Sequence, residues 1–179
     1  MARKATVAAA IAFLIWFMAR QAGRSERMLT VDDARALVRD LNRTEFNGWF
    51  REDDVLAIMK IESNFDPMAQ RFEAHIITEV TPHGDASLGI MQVLYSTAVD
   101  RGYTGKPLGL LDPRVGTRMG MRQLLWSHEF LSDRLGRAPT TREWIGSYNA
   151  GVGNALKGNI PERYVEKWVR ERARLAGVG

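Results

Sequence analysis

The sequence predicts a mainly α-helical domain, and three observations carry that reading. Helix-start chemistry recurs along the chain: Thr30 ahead of Asp32 and Asp33, Asp112-Pro113, and Thr140 with Glu143. Apolar residues between these signals recur at helical spacing. Residues with strand and turn character gather in one stretch, 71–86 (RFEAHIITEVTPHGDA), which reads as an irregular or hairpin insertion. The chain divides into a hydrophobic N-terminal helix with its linker, 1–29, and a body, 30–179.

Taken in order, Ala5–Ala19 is an uncharged apolar run flanked by Arg3-Lys4 and Arg20. As a helix it spans about 22 Å, short of the roughly 30 Å hydrocarbon core unless Lys4 and Arg20 snorkel. Three readings stand: a membrane anchor, a cleaved signal segment, or a helix buried in an assembly. Arg20, Arg24 and Arg27 on the far side work against the positive-inside pattern, and no clean Ala-x-Ala site follows. Under the first two readings the body works outside the cytoplasm.

In the body, Thr30 caps a helix to about Asn42, with Asp32 and Asp33 in its electropositive first turn. A second helix starts near Glu52 and runs through Val55, Ile58, Met59 and Glu62. A third is expected from about Ile90 to Arg101, stopped by Gly102. Asp112-Pro113 opens a long helix ending at Gly136. Thr140 and Glu143 form a capping box for a helix carrying Trp144, Ile145 and Tyr148, and a last amphipathic helix follows Pro161.

Composition excludes several classes. With no Cys there is no disulfide framework, thiolate metal site or cysteine nucleophile. The net charge of +4 equals that of residues 1–29 alone, so the body is neutral and is not expected to bind nucleic acid. Within the body, residues 30–100 sum to −7 and 101–142 to +5, which makes one lobe acidic and the other basic if the two separate in space.

Glu62 is the odd residue. Val55, Ile58, Met59 and Glu62 fall at i, i+3, i+4 and i+7, placing a carboxylate on the apolar face of its helix. Desolvation there raises its pKa and keeps it protonated, as a general acid requires. The alternatives are that the helix ends at Glu62 and the side chain meets solvent, or that it pairs with an Arg.

The neighbouring words narrow the choice. Ile61-Glu62-Ser63-Asn64-Phe65-Asp66-Pro67-Met68-Ala69 resembles the "E-S-x-F-x-P-x-A" opening of the lytic transglycosylase catalytic domain. Ser87-Leu88-Gly89-Ile90-Met91-Gln92 resembles its "G-L-M-Q" element. Ser147-Tyr148-Asn149-Ala150-Gly151-Val152-Gly153 resembles "A-Y-N-A-G-x-G", and Ile160-Pro161 with Tyr164-Val165 resembles the closing "I-P-x-x-x-x-Y-V". The four elements stand in the family's order over residues 50–170.

The resemblance implies a lysozyme-like helical fold, similar to goose-type lysozyme, acting on peptidoglycan glycan strands without a cofactor or metal. It implies cleavage of the β-1,4 bond between N-acetylmuramic acid and N-acetylglucosamine with closure of a 1,6-anhydro ring. One glutamate then serves as acid and afterwards as base, unlike the two-carboxylate glycosidases. Carried onto this chain, Glu62 is that residue, with Ser63 beside it, and Ser63, Ser87, Gln92, Tyr148, Asn149 and Tyr164 are the expected substrate-binding set. Gln92 offers an amide to the sugar or to the glutamate's surroundings, and Tyr148 and Asn149 line the opposite wall, the Tyr148 hydroxyl orienting the carboxyl group. Tyr164 matches the family's closing tyrosine. Each has a plainer alternative: Gln92 as a helix cap, Tyr148 and Tyr164 as packing aromatics, Asn149-Ala150-Gly151 as a helix-ending turn. Met91 reads as core, as do most of Trp49, Phe50, Phe65, Phe72, Tyr95, Tyr103 and Trp144.

Departures from the family pattern are informative. Residues 71–86 replace a short "S-x-x-G-A" stretch and are similar to the longer version in phage- and prophage-encoded members; Ser147 stands for the common Ala. The insertion is expected to bring Glu73, His75, Glu79, His83 and Asp85 near the cleft entrance. One of these carboxylates reaching the far side of the sugar would make the enzyme a hydrolase. The expected setting is a phage virion and the host envelope, or alternatively a bacterial inner membrane facing the periplasm. The N-terminal segment then joins a membrane, virion or secretion assembly. A catalytically idle assembly protein is the contrasting class, and an intact Glu62 speaks against it.

Overall fold

A computed structural model describes residues 28–177. The hydrophobic run 5–19 expected as an anchor or signal lies outside the described residues. No helix among those described is long and apolar enough to cross a membrane.

Among the described residues, seven α-helices, one 3-10 turn and a small sheet follow one another as α1 (Val31–Glu45), α2 (Glu52–Ser63), β1 (Gln70–Glu73), β2 (Asp85–Leu88), β3 (Val93–Leu94), α3 (Tyr95–Asp100), the 3-10 turn Pro107–Leu111, α4 (Pro113–Leu135), α5 (Thr141–Ala150), α6 (Val152–Leu156) and α7 (Glu162–Leu175). The expected caps are in place. Thr30 accepts from Asp33 N at 3.1 Å, Asp112 from Val115 N at 2.9 Å, and Thr140 with Glu143 completes a capping box. The long helix ends at Gly136 in the left-handed conformation.

The core is built around α2, whose residues Val55 to Met59 are all buried. A helix buried on every side has no polar face to spare, so its few polar contacts matter. The last helix straps it: Trp168 is buried, its indole N–H donates to Asp54 O at 3.1 Å, and the Arg172 guanidinium meets the Asp54 carboxylate. At the far end of α7, Arg35 from α1 donates to Leu175 O at 2.8 Å. The sheet is antiparallel in the order β1-β2-β3, with Gln70 opposite Leu88 and Glu73 opposite Asp85, so the insertion is a hairpin with residues 74–84 at its tip.

Two expectations are corrected. The helix expected from Ile90 starts only at Tyr95, because Gly89 and Gln92 take left-handed conformations (φ 75° and 49°) and the carbonyls of the intervening residues are committed elsewhere. Ile90 O accepts from the Ser63 hydroxyl at 2.7 Å and Met91 O from the Tyr148 hydroxyl at 2.8 Å. A helix would have bonded those carbonyls along its own axis. The acidic and basic stretches do not separate into lobes either. Arg114 and Arg118 on α4 reach Asp40 and Glu45 on α1, each at 2.7 Å, so opposite charges are zipped across one surface.

The turn at 89–92 is fixed sterically as well. A Cβ on Gly89 would lie 2.2 Å from the carbonyl oxygen of Leu110, and one on Gly116 would lie 2.7 Å from that same atom. Gly89→Ala combines the clash with left-handed backbone strain and is expected to cost roughly 2–4 kcal/mol. A denaturant titration checks this, and a loss below about 0.5 kcal/mol would show that the turn has room to shift.

Candidate active site

The chain reverses immediately after Glu62-Ser63. Asn64 (φ 57°) and Phe65 (φ 64°) are both left-handed, an arrangement that costs about 1–3 kcal/mol per residue and is tolerated where the surroundings enforce it. Here the enforcement is visible: the Phe65 ring is buried, Phe65 O accepts from Leu29 N at 3.0 Å, and Asn64 N caps Lys60 O at 3.2 Å. Glu62 is thereby left half-buried at the mouth of α2, in a groove of about 510 Å³ lined also by Ser63, Gln70, Arg71, Gln92, Lys167 and Glu171.

The plain alternatives describe Glu62 only in part: α2 ends one residue on, at Ser63, but the side chain is partly buried and is not paired with an Arg. Its carboxyl oxygen Oε1 accepts from the Tyr164 hydroxyl at 2.6 Å, a phenol rather than a guanidinium. Burial pushes the acid above the usual carboxylate range, while the Tyr164 hydroxyl and the charges of Arg71 and Lys167 pull the other way. Burial together with the nearby Glu62 raises Tyr148 and Tyr164 well above ordinary phenols, so both stay protonated donors.

The tyrosine that meets the carboxyl group is therefore Tyr164, not Tyr148 as expected. Tyr148 comes from α5, half-buried, and its hydroxyl goes to Met91 O instead. Gln92 lines the groove, but its amide nitrogen is bonded to Ala69 O and Gly89 O at 3.0 Å each, tying the turn to the start of β1. It precedes β3 rather than capping a helix. Ser63 also lines the groove, with its hydroxyl on Ile90 O. Ser87 is buried in β2 and donates to Glu73 at 3.2 Å, which gives it a role inside the hairpin rather than on the groove wall. Asn149 is exposed in the last turn of α5, which ends at Gly151 (φ 82°), the helix-ending reading of this element.

The insertion's acids do not line the groove. Asp85 is buried and caps α3, accepting from Ser96 N at 3.3 Å and from its hydroxyl at 2.5 Å. Glu73 is held below its ordinary pKa by Arg71, with Ser87 adding to the effect. Glu79 and His83 are exposed on the hairpin tip. Among the described residues no three His, Asp or Glu side chains gather where a metal ion could sit. Of the aromatic residues expected mostly in the core, Phe50 and Phe65 are buried, whereas Phe72 is 66% exposed on β1 and Trp49 is 42% exposed.

Several polar groove residues were not anticipated, among them Lys60, Gln70 and Arg71 near Glu62 and, from the last helix, Lys167 and Glu171. Lys167 and Glu171 stand one helical turn apart on α7, and the only signal in the sequence was their spacing after Tyr164: three and seven residues along an amphipathic helix put both on its face.

A carboxyl group whose pKa is raised by burial, held by a phenol in an open polar groove, is suited to donating a proton and then taking one back. No curated protein matches the sequence. Among solved structures, the chain is similar to the 70 kDa soluble lytic transglycosylase from Escherichia coli, at 21% identity with a TM-score of 0.47; the match covers 80% of this chain and 22% of the larger protein's. Residues 49–168, two-thirds of the sequence and the span that holds Glu62 and Tyr164, match the transglycosylase SLT domain, and the chain belongs to that family.

Proposed function

We propose that this protein is a peptidoglycan lytic transglycosylase in which Glu62 alone serves as acid and base. The observation that carries the reading is the state of Glu62: a carboxyl group raised by burial, open to a groove, and bonded by Tyr164 at 2.6 Å. In the first step the protonated Glu62 gives its proton to the oxygen of the β-1,4 bond as that bond to the muramoyl anomeric carbon breaks. In the second, the resulting carboxylate takes the proton of the muramoyl 6-hydroxyl as its oxygen bonds to the same carbon, closing the 1,6-anhydro ring. The Tyr164 hydroxyl stabilises the carboxylate between the two steps, and Arg71 and Lys167 add favourable charge.

A second reading, hydrolysis, has one observation in its favour, the carboxylate of Glu171 in the same groove. Glu171 lies 3.3 Å from Arg174, and in this reading it would activate water.

We assign the activity to local opening of the wall by a virion during genome delivery, with the protein carried in the particle and acting in the host envelope. Two features support this setting: the long β1–β2 hairpin in place of the family's short stretch, and the Ala5–Ala19 segment, suited to seating the protein in a membrane or a particle.

Digestion of purified peptidoglycan by the full chain, read by mass spectrometry, is expected to release anhydro-muramoyl ends. Glu62→Gln should release none, and Glu171→Gln should still produce anhydro ends; reducing ends that vanish in Glu171→Gln would establish the hydrolytic reading instead. Activity should fall as pH rises through the raised pKa of Glu62. Tyr164→Phe removes a bond that favours the ionised form, so the alkaline limb of the pH profile should move to higher pH as kcat falls on the order of 10- to 100-fold. An unmoved limb would mean that the phenol only packs.

The same linkage sets a stability test. A carboxyl group whose folded pKa lies above its unfolded value favours folding most at low pH, and that contribution is lost as pH rises through the folded pKa. Glu62→Gln should therefore melt at a higher temperature than the native chain at pH 7, with the gain shrinking towards pH 4; equal melting curves at pH 7 would show that the carboxylate is not strained there.

A further inference from the structure

A second cavity, of about 280 Å³, opens at the other end of α2 from Glu62. It shares no lining residue with the groove, and the helical rise from Glu52 to Glu62 sets the two ends about 15 Å apart. Its wall is aromatic. Trp49 meets His128 with ring centroids 5.2 Å apart and Trp144 at 5.6 Å, while His128 meets Trp144 at 5.7 Å. The three interplanar angles are 76°, 89° and 88°, so the rings enclose a corner instead of closing into a stack.

The backbone holds Trp49 out over this corner. Asn47 and Gly48 ahead of it are both left-handed (φ 50° and 73°), and Trp49 N closes the turn on Phe46 O at 2.9 Å. Asn42 grips the residue after it from both sides, donating to Phe50 O at 2.8 Å and accepting from Phe50 N at 3.0 Å. The pinned turn presents an indole that is 42% exposed and whose N–H has no partner among the described residues. Trp144 and Trp168 donate theirs to Leu124 O and Asp54 O. Trp126 also leaves its N–H unbonded, but its ring is covered: the Arg101 guanidinium lies 3.5 Å from the ring centroid and Phe130 stacks on it at 4.9 Å.

The polar groups around the corner narrow the ligand. The one acid among the described residues lining it is Asp54, which is buried and engaged by Arg172, so the cavity holds no free carboxylate to attract an ammonium group. Arg51, His128 and Thr141 supply hydrogen-bonding groups beside the rings. The volume lies just under the roughly 300–1,000 Å³ of sites for drug-sized ligands, enough for one ring and too little for a helix or a folded peptide. A pyranose ring fits these terms. Its C–H bonds make an apolar face for the indole, and its hydroxyl and N-acetyl groups leave the edge, where Arg51 and Thr141 stand.

We propose that this corner is a second carbohydrate site, which holds one ring of a glycan strand against Trp49 while Glu62 acts on another part of the same polymer. The choice of ligand rests on the glycan-cleaving reading above, to which it adds a means of staying on the wall between cuts. Two sites engaging one polymer reinforce each other, because binding at the first raises the local concentration of sugar at the second.

The test uses the full chain carrying Glu62→Gln, so that nothing is cleaved, and measures its retention on insoluble peptidoglycan in detergent. Trp49→Ala in that background should lower retention about tenfold, and Trp49→Tyr, which keeps a ring, should restore most of it. Soluble glycan strands stripped of their peptides should release the protein, and free stem peptides should not. In the active chain, Trp49→Ala should lower digestion of the insoluble polymer about tenfold relative to digestion of a short soluble fragment; a fold weakened throughout would slow both alike. Retention that Trp49→Ala leaves unchanged, a polymer-to-fragment ratio that does not move, or release by stem peptides instead of glycan overturns the proposal and leaves the glycan-cleaving reading standing. An active chain that releases no glycan fragments would overturn that reading, while the retention measurement still decides this one.

Discussion

The hydrogen bond from Tyr164 to Glu62 joins the two helices on which the whole arrangement depends, and it does so across 102 residues of sequence. A carboxyl group on a helix whose central residues Asp54 to Met59 are all buried is a costly placement. The fold meets that cost with one phenol, two nearby cations and an opening to solvent rather than with a buried counter-ion. A guanidinium in the position of Tyr164 would have stabilised the carboxylate strongly and stripped it of its proton. A phenol compensates partially and leaves an acid that can still give up its proton.

The backbone around this bond is built from departures from regular structure. α2 breaks at Asn64-Phe65 and the next segment refuses to become a helix until Tyr95. In both places the side chains of site residues take the hydrogen bonds that secondary structure would have used: Ser63 and Tyr148 hold consecutive carbonyls of the 89–92 turn, and Gln92 fastens that turn to Ala69 and Gly89. These polar residues of the family motifs thus shape the groove before any substrate arrives. Their loss should be felt in the architecture and the chemistry together.

Much of this was legible in the sequence, and the parts that were not share a physical reason. Caps and helical periodicity are local, so α1, α4, α5 and α7 could be placed from Thr30, Asp112-Pro113, Thr140-Glu143 and Pro161, and α2 from Glu52 and its apolar spacing. Glu62 stood out because helical spacing put a carboxylate among Val55, Ile58 and Met59. The false helix at Ile90 arose because its hydrophobic run carries no sign that two of its carbonyls will be claimed from 27 and 57 residues away. The choice between Tyr148 and Tyr164 was equally hidden: both match family elements, and only the packing of α7 on α2 decides which hydroxyl reaches the acid. Charge totals misled for the same reason, since the acidic and basic stretches proved to be partners across α1 and α4.

The strap that α7 lays over α2 has a consequence for how the protein comes into being. Loop-closure entropy must be met before contacts between residues so distant in sequence can form, so the Tyr164–Glu62 pair is expected among the later events of folding. The burial that raises Glu62 depends on α7, which Trp168 and Arg172 dock onto Asp54. On the proposed mechanism, competence to cleave would therefore mature only with the finished tertiary structure.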